Sequence, residues 1–178
     1  MTPADLKALI RTVPDFPKPG ILFRDITTLI AHDQGFAATI DLLADQTLAA
    51  RAEAVAGMEA RGFIFGAAVA AKLALPFLPV RKPGKLPVPV LSIDYALEYG
   101  TDTLEVDPGA IHQGQRVIII DDLIATGGTA TAAVKLLRSA GAQVDQALFV
   151  IDLPDLGGAE HLRALDVGVS ALMDFPGH

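Results

Sequence analysis

The chain is predicted to form a single α/β domain around a mostly parallel sheet. Three observations lead there. Short apolar runs alternate with longer stretches of helical periodicity, the pattern of repeated strand–helix units. With 178 residues, 51% of them hydrophobic, the chain can bury one full core. The clearest strand, RVIII at 116–120, runs into Asp121 and Asp122 and then a glycine-rich loop, and a parallel sheet binds its ligands beyond strand carboxyl ends.

The N-terminal stretch MTPADLKALIRTV reads as a short amphipathic helix, with Pro3 near its first turn and Leu6, Leu9, Ile10 and Val13 on one face. A helix is predicted over about 33–51, with Asp33 as its N-cap. The strand 53–58 follows, then an alanine-rich helix over about 62–75 and a buried strand at 76–80. After the 116–120 strand comes a helix over 129–140. Two further strands, 145–151 and 167–172, flank a helix at about 159–165. Two stretches break the alternation. One is 13–29, with three prolines before Gly20. The other is 82–105, which begins with Pro83, Gly84, Pro87 and Pro89. The second is long for a connection in a compact domain, and such excursions are more often lids or binding loops than idle chain.

Composition narrows the function. The net charge is −7, from 14 Lys and Arg against 21 Asp and Glu, which argues against general nucleic-acid binding. A small polyanion can still be held by a local focus of cations, and Arg81, Lys82 and Lys85 form one. The absence of cysteine rules out disulfides, thiolate metal sites and a cysteine nucleophile. The N-terminus has no long apolar stretch behind a basic start, and the most apolar run, 62–71, is too short to span a bilayer. The expectation is a soluble cytoplasmic protein with no membrane partner. His32, His112, His161 and His178 are scattered without ligand spacing and read as incidental.

The segment VIIIDDLIATGGT, 117–129, carries the chemistry. Gly127 and Gly128 let backbone amides approach a ligand, and the following helix N-terminus favours negative charge. Thr126 and Thr129 add hydroxyl donors. Asp121 and Asp122 offer acceptors to a ribose diol. The expected ligand is a sugar phosphate. A P-loop would need a lysine after the glycines, and the dinucleotide fingerprint needs a G-x-G-x-x-G spacing; neither is present. A glycine turn after an acidic strand end, or an acidic metal pocket, are the alternatives at this level.

These residues resemble the 5-phosphoribosyl 1-pyrophosphate (PRPP) motif of type I phosphoribosyltransferases. PDFPKPGILFRDIT, EARGFIFG, VRKPGKLP and LEYGTDTLEV are similar, in order, to segments of the adenine phosphoribosyltransferase family. Taken singly, each has a plainer reading: RGFIFG as helix packing, Phe23 as core, Arg81 to Lys85 as a solvated loop, Glu98 as an exposed acid. Their shared order carries the resemblance.

The resemblance implies a fold and a reaction. The fold is type I phosphoribosyltransferase-like, one domain over 1–178, with an N-terminal hood at about 1–30 and a mobile lid at about 82–105. The reaction is purine salvage: adenine and PRPP, with Mg2+ carried by PRPP rather than by a direct protein site, give AMP and pyrophosphate. By resemblance, Asp121 and Asp122 hold the ribose hydroxyls, and Ala125, Thr126, Gly127, Gly128 and Thr129 cradle the 5-phosphate. Arg61, Arg81 and Lys85 contact pyrophosphate. Leu22 and Arg24 read adenine through backbone groups, Phe23 stacks on it, and Leu153 covers its opposite face. Glu98 is the catalytic residue, with Tyr99 helping to position it. A homodimer is implied. The chain departs from the family at Pro83, where another cation is common, and at Ala60, where a hydroxyl residue is common. The rival readings are a phosphoribosyltransferase for another purine and a non-catalytic PRPP-sensing module.

Overall fold

The computed structural model describes residues 1–97 and 100–177. Five strands form the central sheet: β3 (Ala54–Met58), β4 (Phe77–Val80), β7 (Arg116–Ile124), β8 (Gln143–Asp152) and β9 (Gly168–Asp174). Their order is β4-β3-β7-β8-β9, and every pairing is parallel. The α/β expectation therefore holds. The order reverses between β3 and β7: the chain steps outward from β3 to β4, then returns to lay β7 on the other side of β3. Crevices open at such switch points.

The central strand explains its own sequence. Val117 and Ile119 pack into one core, and Ile118 and Ile120 into the other. A strand covered on both faces must be apolar without alternation. Helix α5 (Gly128–Ser139) covers the first face with Ala133, Val134, Leu136 and Leu137. Helices α3 (Asp33–Ala49) and α4 (Arg61–Leu73) cover the second with Leu43, Ala44, Phe65 and Val69. Full burial of each isoleucine contributes about 1.5–3 kcal/mol.

Two antiparallel hairpins account for the stretches that broke the alternation. The first pairs β1 (Arg11–Pro14) with β2 (Leu22–Asp25). The second pairs β5 (Leu91–Ala96) with β6 (Thr101–Val106), inside the long crossover from β4 to β7. Helix α1 (Pro3–Leu9) starts at a capping box between Thr2 and Asp5 and ends before Val13, which lies in β1 and not on the helix face. A short α2 (Thr27–Ile30) follows β2. Helix α6 (Gly158–Arg163) joins β8 to β9.

Several boundaries differ from expectation. The cap of α3 is His32, whose Nδ1 accepts from the Gly35 N–H at 3.1 Å, and not Asp33. His32 is thus a structural residue. Helix α4 stops at Leu73 because Ala74 turns left-handed, with φ 55°. Strand β7 runs on through both aspartates to Ile124. Among the described residues, no helix is long and apolar enough to cross a membrane.

Candidate active site

A cavity of about 1010 Å³ opens where β3 and β7 diverge. Its walls come from the ends of both strands, the loop into α5, the start of α4 and the β5–β6 hairpin. Of the site residues expected from sequence, Arg61, Asp121, Asp122, Ala125, Thr126, Gly127, Gly128 and Thr129 all line it.

Adjacent aspartates coexist here because each has its own partner. Asp121 Oδ1 accepts the Asp122 N–H at 2.8 Å. Asp122, almost fully buried, pairs with Arg61 Nε at 2.7 Å. The strand's phase slips across them: Ile118 and Ile120 share a core with Leu123, while Ile119 shares the other with Ile124. Burial pushes the Asp121 carboxyl well up, and the Asp122 charge adds to the effect. Burial also raises Asp122, while the Arg61 guanidinium draws it back. Carboxyls held this high accept strongly from donors that restore solvation.

The loop is defined by backbone. Gly127 has φ +81°, and a Cβ there would sit 2.8 Å from the Gly158 carbonyl oxygen. Gly158 in turn donates its N–H to the Ala125 carbonyl at 3.0 Å. His161 Nδ1 lies 2.8 Å from the Thr126 carbonyl, so the residue read as incidental in fact braces the loop. Neither α4 nor α5 has a side-chain cap, and both helix N-termini border the cavity. Two open sets of N–H groups thus face one space, and each favours an anion.

The remaining candidates lie elsewhere. Arg81 donates to Glu59 Oε2 at 3.2 Å and to the Lys85 carbonyl at 3.1 Å; Lys85 is exposed, and neither cation lines the cavity. Lys82, the third member of the cation focus expected from sequence, does line it, together with Glu59 and Leu156, which the sequence did not single out. Burial works to raise Glu59, but the Lys82 N–H, the Arg81 guanidinium and Lys85 outweigh it and hold the carboxyl below its usual range. Leu22, Phe23 and Arg24 lie on β2, and the Arg61 guanidinium carbon stands 5.9 Å from the Phe23 ring centre. The Arg24 side chain points the other way, to Thr12 Oγ1 at 2.7 Å and the Pro176 carbonyl at 3.1 Å. Leu153 is buried, its N–H bonded to the Ile124 carbonyl. Glu98 and Tyr99 lie outside the described residues, as does His178.

Comparison with known proteins decides the family. The phosphoribosyl transferase domain model matches residues 27–170. Over 178 residues the chain is 72% identical to an adenine phosphoribosyltransferase of Novosphingobium aromaticivorans, covering all of both chains. The chain belongs to the adenine phosphoribosyltransferase family. Solved adenine phosphoribosyltransferases share its architecture. The one from Thermoanaerobacter pseudethanolicus is 45% identical, with TM-score 0.93 over 98% of this chain and 100% of that one. The one from Saccharomyces cerevisiae, solved with an imino-altritol bisphosphate and adenine, is 37% identical, with TM-score 0.90 over 96% and 97%. Both the type I phosphoribosyltransferase expectation and the enzymatic one are met.

Proposed function

We propose that the cavity binds PRPP across its two open helix N-termini and joins it to adenine, releasing pyrophosphate. The observation that carries this reading is the meeting of both N-termini and the Asp121–Asp122 pair on one cavity. The 125–129 loop and the start of α5 take the 5-phosphate. Asp121 and Asp122 accept from the ribose hydroxyls. The diphosphate lies towards the start of α4, against Arg61 and Lys82, while Arg81 and Lys85 add positive potential from just outside. As the glycosidic bond to the leaving group breaks, negative charge grows on the diphosphate oxygens, and these fixed donors hold it.

Adenine enters beneath the β1–β2 hairpin, the hood, where Phe23 stacks on it and backbone groups of Leu22 and Arg24 read its edge, with Leu153 and Leu156 on the far side. A base whose edge donors and acceptors do not match leaves polar groups unpaired, which discriminates strongly. Glu98 manages the proton lost by the base as its new bond forms. The β5–β6 hairpin, whose Ala96 and Leu97 already line the cavity, serves as the lid that keeps water from PRPP. Mg2+ usually keeps several waters and binds substrate phosphates, so it would come with PRPP and need no dedicated cage of protein ligands. Bound with PRPP, Mg2+ would neutralise part of the diphosphate charge. The enzyme works in the cytoplasm as a homodimer in this reading.

The test is AMP formation from adenine, PRPP and Mg2+, with hypoxanthine, guanine and xanthine in parallel and Glu98→Ala beside the wild type. Conversion of adenine alone, with a slow variant, upholds the base and proton assignments. Preference for another base overturns the hood assignment. PRPP binding without turnover of any base replaces the enzyme with a PRPP sensor.

A further inference from the structure

Lys82 lines the cavity, yet its ammonium is already taken. It is ion-paired with Asp102 and donates to the Tyr95 hydroxyl at 3.0 Å. Tyr95 on β5 and Asp102 on β6 face each other in register across the hairpin. The Tyr95 hydroxyl donates to Asp102 Oδ2 at 3.2 Å and accepts from Thr129 Oγ1 at 3.4 Å. One phenol oxygen therefore links three parts of the site: the basic segment after β4, the lid hairpin, and the phosphate loop at the start of α5. Asp102 also accepts the Thr103 N–H at 2.8 Å, which fixes its carboxylate on the hairpin.

We propose that Asp102 is the resident counterion of Lys82, a positioning residue that holds this cation against the hairpin until a diphosphate displaces it. The inference rests on the diphosphate reading of the cavity given above. Both partners are only partly exposed, with side chains 37% and 29% accessible, so their attraction is less screened than at open surface. An incoming diphosphate carries more charge than one carboxylate and offers several oxygens, so it competes for the same ammonium. When Lys82 turns to it, Asp102 and Tyr95 lose a shared donor, and the Thr129 contact to the hairpin loosens with them. The arrival of the leaving group is thereby registered both on the lid and at the 5-phosphate loop. Burial works against the Lys82 charge, but Asp102 and Tyr95 outweigh it and keep the ammonium protonated, ready for transfer between anions.

The experiment titrates inorganic pyrophosphate with Mg2+ into the full-length chain by calorimetry. The variants are Asp102→Asn, Asp102→Glu, the Lys82→Met/Asp102→Asn pair, and Glu53→Gln. Glu53 pairs with Arg116 at the opposite end of the sheet and controls for the loss of one negative charge. Asp102→Asn is expected to bind pyrophosphate about three- to tenfold more tightly than wild type. Asp102→Glu should return affinity towards wild type, Glu53→Gln should leave it unchanged, and the double variant should lose the gain. A merely structural Asp102 predicts the opposite sign, because a loosened hairpin weakens binding. Equal or weaker binding by Asp102→Asn overturns the proposal. If that variant fails to fold, as judged by circular dichroism, Asp102→Ser with a second titration at raised salt takes its place, and a steeper salt dependence than wild type is required. Wild type that binds no pyrophosphate overturns the cavity reading itself, and the inference with it.

Discussion

The floor of the cavity and the hairpins at its rim are held by different forces. The floor is backbone against backbone: Gly127 on Gly158, two uncapped helix starts, and a buried strand. The hairpins add exchangeable side-chain charges to their strand pairing and, in β6, to the buried Leu104 and Val106: Arg11 on Asp25 across β1–β2, Lys82 on Asp102 beside β5–β6, and Arg24 and Lys7 over the ring of Phe175. Backbone packing at interior density admits almost no change of volume. Partly solvated ion pairs contribute little each and can be exchanged. The floor therefore fixes where phosphates sit, while the rim is free to be retuned.

The contrast predicts a graded series. Gly127→Ala should be the most damaging. It forces a left-handed alanine against a carbonyl, at about 2–4 kcal/mol of stability, and shifts the loop enough to lower kcat/KM about 100-fold. Thermal unfolding and steady-state kinetics check both. A variant close to wild type in both would show that the floor yields as readily as the rim.

Arg61→Ala comes next, since it leaves the Asp122 carboxylate buried without its cation, at about 1–3 kcal/mol. Burial already raises Asp122 above its ordinary value, and the variant raises it further. A carboxyl whose folded pKa is raised destabilises the fold at neutral pH and ceases to do so once protonated. The stability lost at pH 7 should thus be partly regained on acidification, in melts followed across pH. A deficit that stays constant with pH would count against the burial of an unpaired charge.

Phe175→Leu keeps an apolar side chain, though a smaller one, but removes the ring face that Lys7 and Arg24 approach at 4.8 and 4.7 Å. Such contacts contribute about 0.5–1 kcal/mol each. The expected result is a KM for adenine raised about two- to fivefold, with the KM for PRPP unchanged, because only the hood is loosened. An equal rise in both constants would erase the distinction between rim and floor.

Asp25→Asn should have the smallest effect on catalysis, and the stability it loses at neutral pH should fade in acid. The Thr27 hydrogen bonds, with help from Arg11, lower the Asp25 carboxyl from 3.8 to about 2. A depressed carboxylate stabilises the fold fully above its ordinary value and loses that contribution as pH falls through about 2. The variant should flatten the acid limb of the stability curve over that window, measured by denaturant unfolding.

Much of this was legible in the sequence, for reasons that also mark where legibility ends. Val117 to Ile120 declare a doubly covered strand because burial on both faces leaves no polar position. Gly127 and Gly128 declare a ligand loop because so few other needs place two glycines at a helix start. The extension of β7 through Asp121 and Asp122 was hidden, since paired carboxylates resemble a strand end until Arg61 and a slip in phase are seen. His32 and His161 were missed because a cap and a brace are single contacts with no periodicity. Lys82 stood in the motif VRKPGKLP, but its partners Tyr95 and Asp102 lie on two strands of another element, a pairing no local pattern reveals.

The strand order carries one more consequence. Because β4 is the sheet's edge and β7 lies beyond β3, the chain must leave the carboxyl end of one strand and travel back to begin another, and the β5–β6 hairpin hangs on that return journey. Nothing in the sheet's register depends on how long the detour is, and the entropy of closing a longer loop rises only slowly with length. The outer part of the hairpin, beyond Leu104 and Val106 that enter the core, is in this sense an interchangeable tool on a fixed handle. A graft of a longer or shorter crossover would alter what the enzyme admits and how tightly it shuts, while the parallel strands beneath keep their places.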